Sequence, residues 1–445
     1  MGHILGFSST SKIRLSWPAV FYSVLMSWLF VAVYGGCNEF TSLRKDVGIW
    51  MYDWERLIPF LSVMVIPYMS IDLFFGLSPF LCTTPVERRL LAARITFGIL
   101  AAGTFYLLFP LRVVNERGHP DGVIGAIWNS FLSVDRPYNL LPSLHMTLRT
   151  ILADTYARHT SGWQRIASHT WFSLIGFSTV LTHQHQVVDI AGGFIMAAIC
   201  FYVFQPVEWM APVRPNIRVG LAYAAVGLLA GWLATVFWSA AFFLLWTGIS
   251  MALIVGGYFV WGAAVFRKND GVIALSSRLL LAPVLIGQRI SLWYYSRRCR
   301  PWDRVTESVW IGRVLNDREA GQAIEDGLTA VLDLTGEFSE CATLRTLTYR
   351  NIQVMDLTAP TEGQLDMAVG FIRQHCGKGR VLVHCKIGYS RSVAVVAAYM
   401  LSEGICANAA AAFQRIRAVR PTVVIRPEVR EAVDRFAGRI VTRRA

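Results

Sequence analysis

The chain has 445 residues, 54% of them apolar and only 16% charged, with a formal net charge of +13. Soluble domains average nearer 25% charged residues, so an ordinary all-soluble chain is excluded. The positive excess suits anionic lipid and phosphate, whereas no basic stretch interleaved with aromatics points to nucleic acid.

A bilayer span needs about 20 apolar residues. In chain order the candidate spans are Trp17–Gly36, Leu57–Cys82 (interrupted by Asp72), Ile95–Leu111, a weaker one within His145–Ala157 that carries Arg149 and Asp154, Ile166–Thr182 and Ile190–Pro206. The 48 residues between Arg218 and Arg267 contain no Asp, Glu, Lys or Arg, so they hold two more, reversing near Trp238 to Ala241. Eight such runs describe a polytopic α-helical membrane domain over residues 1–266. Gly35-Gly36-Cys37 follows the first run, but Tyr34 does not suit a processed leader, and that run is read as an uncleaved span.

Orientation follows from Lys and Arg. With the N-terminus in the cytoplasm, the inner segments hold Lys12 and Arg14, then Arg88, Arg89 and Arg94, then Arg158 and Arg165, then Arg214 and Arg218. The outer loops hold Arg44, Lys45, Arg56, Arg112, Arg117 and Arg136. The expectation is a multi-pass protein of the plasma (inner) membrane with both termini cytoplasmic. The eight Cys are scattered without a Cys-x-x-Cys pair, so no disulfide framework, metal site or cofactor is implied.

Two histidines stand out in this half. Pro142-Ser143-Leu144-His145 opens the fourth span, and His185 and Asp189, four apart, open the sixth. That spacing puts imidazole and carboxylate on one helical face, where the acid can hold the tautomer. The expected topology gathers His145 and His185 on the outer side, together with Arg112, Arg117 and Arg136; Arg149 lies one turn beyond His145. These motifs resemble the type 2 phosphatidic acid phosphatase superfamily over about residues 55–206. Ser178-Thr179 is similar to its inositol phosphorylceramide synthase branch. The resemblance implies that His185 attacks phosphorus, Asp189 supports it and His145 protonates the leaving group. Arg112, Arg117, Arg136 and Arg149 are then candidates to hold the phosphate. Gly118 stands where the first motif of that family carries Pro.

Residues 267–306 read as a linker. Arg278–Ile286 is too short and too flanked by charge to span, and Trp293, Tyr294 and Tyr295 precede Arg297, Arg298 and Arg300. That pattern describes an interfacial helix or a linker helix packed on the membrane domain.

Residues 307–445 read as an α/β domain. Val309–Arg313, Ala330–Leu334, Tyr349–Met355 and Arg380–His384 are strand-like. Thr361–His375 has helical period, and helices follow Arg391, Cys406 and Arg426. Parallel strands with helices on both faces are expected. The apolar run Val381-Leu382-Val383 leads into His384-Cys385-Lys386-Ile387-Gly388-Tyr389-Ser390-Arg391. A strand, tight loop and helix N-terminus in that order offer backbone N–H groups to an anion and lower a thiol pKa. Cys385 is then a nucleophile, Arg391 a planar fork for two phosphate oxygens, and Ser392 a stabiliser of the departing sulfur. Lys386, Ile387, Gly388, Tyr389 and Ser390 form the phosphate cradle.

This loop resembles the signature of the cysteine-dependent protein tyrosine phosphatase superfamily, and the run from about Glu307 to Phe436 its small dual-specificity members. Asp356-Leu357-Thr358, the loop and Ile425-Arg426-Pro427 are similar to the mitochondrial phosphatidylglycerophosphate phosphatases. The family uses an Asp upstream of the Cys as general acid. Asp356 fits that role and Asp333 is its rival. The expected whole is a membrane phosphatase for phosphorylated lipids, with a second, histidine-based phosphatase or headgroup-transferase site on the opposite face. The alternative is a membrane-anchored phosphatase of phosphoproteins.

Overall fold

The computed structural model describes residues 16–205 and 215–444; the orienting Lys12, Arg14 and Arg214 lie outside the described residues. The chain divides into two compact units, Met1–Gln205 and Pro206–Ala445.

The first unit is helical. Its elements are α1 (Trp17–Phe30), which runs through a wider turn into α2 (Gly36–Ser42), then α3 (Val65–Leu81), α4 (Pro85–Leu108), α5 (Gly122–Val134), α6 (Leu144–Arg158), α7 (Gly162–Leu181) and α8 (Val187–Val203). Local chemistry sets several starts. Thr84 accepts from the Glu87 amide ahead of Pro85 at the first position of α4. Ser143 accepts from the Met146 amide and so begins α6 next to His145. The core joins Ile95 and Ile99 of α4, Leu148 and Ile151 of α6, Phe172 and Ile175 of α7 and Cys200 of α8. Much apolar surface nevertheless faces outward, including Trp17, Phe21, Trp28, Leu73 and Leu108. Helix α5 falls where only an outer loop was expected; it buries Trp128 against Val65 and Tyr68.

Among the described residues, five helices are long and apolar enough to cross a membrane: Trp17–Ser42, Ser62–Leu81, Pro85–Leu108, Ile217–Val236 and Trp238–Phe266. Helices also occupy the other three expected positions. Of these, α6 has 15 residues and α8 has 17. At 1.5 Å per residue, 15 residues rise roughly 22 Å, short of a hydrocarbon core about 30 Å thick.

The second unit begins with the hairpin α9 (Ile217–Val236) and α10 (Ala241–Gly256), reversing at Trp238–Ala240 as the uncharged run implied. Gly227 and Gly248 let the two helices approach: a Cβ on Gly227 would lie 3.1 Å from Cβ of Met251. A two-stranded hairpin follows, β1 (Lys268–Asn269) with β2 (Val272–Ile273), then α11 (Leu275–Leu280) and α12 (Ala282–Ser296). A shared apolar cluster joins Ile254 of α10, Tyr258 just after it, Val284 of α12 and Met355 of the α/β fold.

The α/β fold runs β3 (Trp302–Arg304), β4 (Val309–Gly312), α13 (Asp317–Glu325), β5 (Leu328–Asp333), β6 (Thr348–Asn351), α14 (Glu362–Cys376), β7 (Arg380–His384), α15 (Arg391–Ser402), α16 (Ala409–Val419) and α17 (Pro427–Arg444). The sheet order is β3-β4-β7-β5-β6. All neighbours are parallel except the edge pair β3–β4. Side chains alternate across the sheet, as the strand period requires. Val309, Ile311, Val381 and Val383 face α14 to α17, while Trp310, Val331 and Leu382 face α13. The strand expected to reach Met355 ends at Asn351, because the chain leaves the sheet to carry Asp356 over the next loop. Strand β3 was not expected.

Candidate active site

In parallel sheets, sites form beyond the carboxyl ends of strands. Four such ends converge here: Arg313 after β4, Thr335 to Glu337 after β5, Asp356 after β6 and the Cys385 loop after β7. Leu382 and Val383 are fully buried in the central strand, so the loop springs from the most rigid part of the fold.

Cys385 is 4% exposed. Its Sγ accepts from the Gly388 amide at 3.3 Å and lies 3.4 Å from Ser392 Oγ. Burial works against the thiolate. The Arg391 charge and the hydrogen bonds from Ser392 and Gly388 outweigh it, so the thiol pKa falls below the ordinary value. Gly388 makes the turn at φ +78°, where a Cβ would lie 2.6 Å from the Gly312 carbonyl oxygen.

Arg391 opens α15 and is 2% exposed. It donates to both Glu337 oxygens, at 2.5 and 3.1 Å, and to the Val354 carbonyl at 2.8 Å. The remaining contact of Nη2 is Asp356 Oδ1 at 3.2 Å. The guanidinium is therefore fixed from behind, with one edge toward the Asp356 carboxylate. Asp356 also lies 3.6 Å from Lys386 Nζ. Burial raises its pKa, but Arg391 and Lys386 more than offset this and hold the carboxyl below its usual range.

Asp333 occupies a different place. It is fully buried, paired with Lys268 of β1, and accepts from the Tyr349 hydroxyl and the Thr335 amide, both at 2.7 Å. It also lies near His384, whose Nε2 is 2.8 Å from Glu340. Asp333, Glu340 and His384 offer ligand atoms close enough together for a metal ion. However, the Lys268 ammonium already neutralises Asp333, so the group reads as a buried charge network that braces β5 and β7.

The loop has further supports that the sequence did not disclose. Arg420 is 1% exposed and donates to the Ile387 carbonyl at 2.8 Å and to Asp303 of β3 at 2.6 Å. It thereby turns that carbonyl away from the space above Cys385. Tyr389 pairs its carbonyl with the Val424 amide, and the Ser390 carbonyl accepts from the Ala394 amide at the start of α15. Lys386 donates to Gln288 of α12 at 2.6 Å. The Tyr258 hydroxyl donates to the Asp356 carbonyl, and Asn216 to that of Leu357. Glu337 could have been suspected only as a charge beside a strand end, and Arg420 only as one that closes α16. Gln288, Tyr258 and Asn216 carried no signal. Above the loop lies a cavity of 620 Å³ lined by Cys385, Ile387, Ser390, Arg391, Asp356 and Arg426, among others.

In the first unit, His145 and His185 line one cavity of 300 Å³ with Tyr34, Tyr68 and Asp135. Asp189 Oδ2 is 3.7 Å from His185 Nδ1 and accepts from the Gln186 amide at 2.8 Å. His145 Nε2 has no hydrogen-bond partner among the described residues, and its ring stacks on Tyr68 at 4.4 Å. Of the four arginines, Arg117 reaches the cavity rim through Asp135 at 3.2 Å. The others are not gathered there. Arg136 pairs with Glu39, Arg149 donates to the Phe172 carbonyl and Arg112 is exposed. Arg149 turns toward α7 because it lies a turn beyond His145 on a helix packed tightly there.

Residues 312–434 match the family described as dual specificity phosphatase, catalytic domain. The phosphatidylglycerophosphate phosphatase PTPMT2 of Arabidopsis thaliana is 28% identical over 178 residues, 38% of this chain and 77% of that protein. PTPMT1 of the same plant is 26% identical over 36% of this chain and 49% of its own length. Mouse dual specificity protein phosphatase 12 is 38% identical over 22% of this chain and 30% of its own. The crystal structure of PTPMT1 in complex with PI(5)P aligns along its whole length with 33% of this chain, at 22% identity and a TM-score of 0.31. The C-terminal part of the chain is thus a dual-specificity phosphatase domain resembling PTPMT1 and PTPMT2.

Proposed function

We propose that the chain is an integral membrane phosphatase that hydrolyses phosphomonoesters of phospholipids through a cysteinyl-phosphate. The observation that carries the reading is the Cys385 thiol, held by the Gly388 amide and Ser392 hydroxyl beside the fixed guanidinium of Arg391. The Cys385 thiolate attacks phosphorus, and the bond from phosphorus to the ester oxygen breaks. Asp356 gives that oxygen its proton. Asp356 is a carboxylate in the free site, so the substrate binds as the phosphate monoanion and passes its proton to Asp356 as the phosphate engages Arg391 and Lys386. Water then attacks the phosphocysteine, Asp356 accepts its proton, and Ser392 donates to the departing sulfur. The cradle of residues 386–390 and Arg391 hold the equatorial oxygens throughout.

Phosphatidylglycerophosphate is named as the substrate of the plant relatives, and the apolar helices of the same unit favour a lipid here too. The full-length protein should prefer phosphatidylglycerophosphate over phosphotyrosine peptides by at least about tenfold in kcat/KM, a difference of about 1.4 kcal/mol. Cys385→Ser should abolish both activities. Equal or better turnover of phosphopeptides would replace the lipid reading with that of an anchored protein phosphatase.

We assign the His145–His185–Asp189 cavity a second phosphoryl-transfer activity on lipid headgroups, with His185 as nucleophile. In a Cys385→Ser background, His185→Ala should remove any remaining phosphate release or headgroup exchange. Activity that survives both changes would remove His185 from the mechanism.

A further inference from the structure

The Cys385 cavity has a wall that binding a phosphate does not require. The same cavity is lined by Tyr223 of α9, Met251 of α10, and Pro283, Val284 and Gln288 of α12. All belong to helices that precede the phosphatase fold. A polar chain runs along this wall. Lys386 Nζ donates to Gln288 Oε1 at 2.6 Å, and Gln288 Nε2 lies 3.5 Å from the Tyr223 hydroxyl. Met251, Pro283 and Val284 flank the chain with apolar surface.

Phosphoryl transfer is in line, so the leaving oxygen departs opposite the attacking sulfur. Asp356, which must reach that oxygen, lines the same cavity beside Leu357. The alcohol half of the substrate therefore lies against this wall. The geometry points to a leaving-group subsite made by Lys386, Gln288 and Tyr223. It takes an alcohol that carries a free hydroxyl next to the scissile ester, with its apolar remainder on Met251, Pro283 and Val284. This rests on the reading of Cys385 as the nucleophile for a lipid phosphomonoester. It goes further by making Gln288 and Tyr223 specificity-determining residues. Gln288 holds Lys386 and Tyr223 in place, and the further N–H of Lys386 and the O–H of Tyr223 remain to meet a substrate hydroxyl; an analogue without that hydroxyl leaves them unsatisfied once the cavity is filled. An apolar wall alone would not discriminate in that way.

Two lipids separate the cases. Phosphatidylglycerophosphate has a glycerol hydroxyl beside the scissile ester, and phosphatidic acid has none there. With the full-length protein in vesicles of phosphatidylcholine, kcat/KM should favour the first lipid by at least about tenfold. Gln288→Leu and Tyr223→Phe should each reduce that ratio at least about fivefold. The ratio is taken on one preparation, so it does not depend on how much of a variant folds. A wild-type ratio near one, or an unchanged ratio in both variants, overturns the subsite. Hydrolysis of para-nitrophenyl phosphate that requires Cys385, without hydrolysis of either lipid, would instead defeat the lipid reading, and the subsite would fall with it.

Discussion

Cys385 and Arg391 are legible from sequence because one tight loop fixes their spacing, and Asp356 is picked out by the family resemblance, whereas the residues that hold them are not legible. Asp356→Asn in the full-length protein should reduce kcat about 10²-fold or more by removing general acid catalysis. Asp333→Asn should act mainly on stability, since Asp333 is spent on Lys268 and Tyr349. The opposite pattern in phosphate-release kinetics would exchange the two roles. The pH profile carries the same signature. The thiol and the Asp356 carboxyl are both shifted downward. The rate should rise as the thiolate forms and fall again as the enzyme–substrate complex loses the proton that Asp356 must donate, giving a bell-shaped profile. The alkaline fall should vanish in Asp356→Asn. Gly388→Ala should cost activity more than stability, since the new methyl would press on the Gly312 carbonyl and deform the cradle.

At the scale of elements, pattern revealed the buried strands β4, β5 and β7 and the helices α14 to α17, and the uncharged run revealed the hairpin α9–α10. It did not reveal β3, whose three residues carry no run of their own. It also missed α5 and α13, and it overextended β6, because the apolar residues before Asp356 are buried beyond the last register pair, Asp333 with Asn351. A fragment starting at Glu307 respects the family match yet omits β3, Asp303, Lys268 and Gln288. It leaves Arg420 and Asp333 as buried charges without their partners. Removing one partner of a buried pair costs about 3–5 kcal/mol, so that fragment should be unstable, and Lys268→Met alone should lower the melting temperature. Asp333 has a depressed pKa, so its contribution is present above the ordinary carboxylate value of about 4. It is lost as the pH falls through the folded value. The acid-induced fall in melting temperature should therefore be shallower in Lys268→Met.

For the whole molecule, composition signalled the long apolar helices and motif the phosphatase fold, but neither signalled that α9, α10 and α12 would line the Cys385 cavity. That arrangement depends on side chains far apart in sequence and is invisible to pattern. Both termini are expected in the cytoplasm. A reporter fused after Ala445 should behave as cytoplasmic, and a single Cys placed within Glu116–Gly122 should be labelled from outside. Labelling only after permeabilisation would mean a miscounted span, the 15-residue α6 being the first suspect.

Tyr223 lies six residues into α9, roughly 9 Å along its axis, and Met251 is in the last turns of α10. The mouth of the Cys385 cavity is thus at the foot of an apolar hairpin. On the proposed topology, the enzyme meets its substrate as a two-dimensional solute. Its rate would then follow the mole fraction of substrate in the leaflet, not the amount per volume. Diluting the bilayer with inert phosphatidylcholine at constant bulk substrate should slow lipid hydrolysis in proportion, while turnover of a water-soluble aryl phosphate by the same preparation should not change.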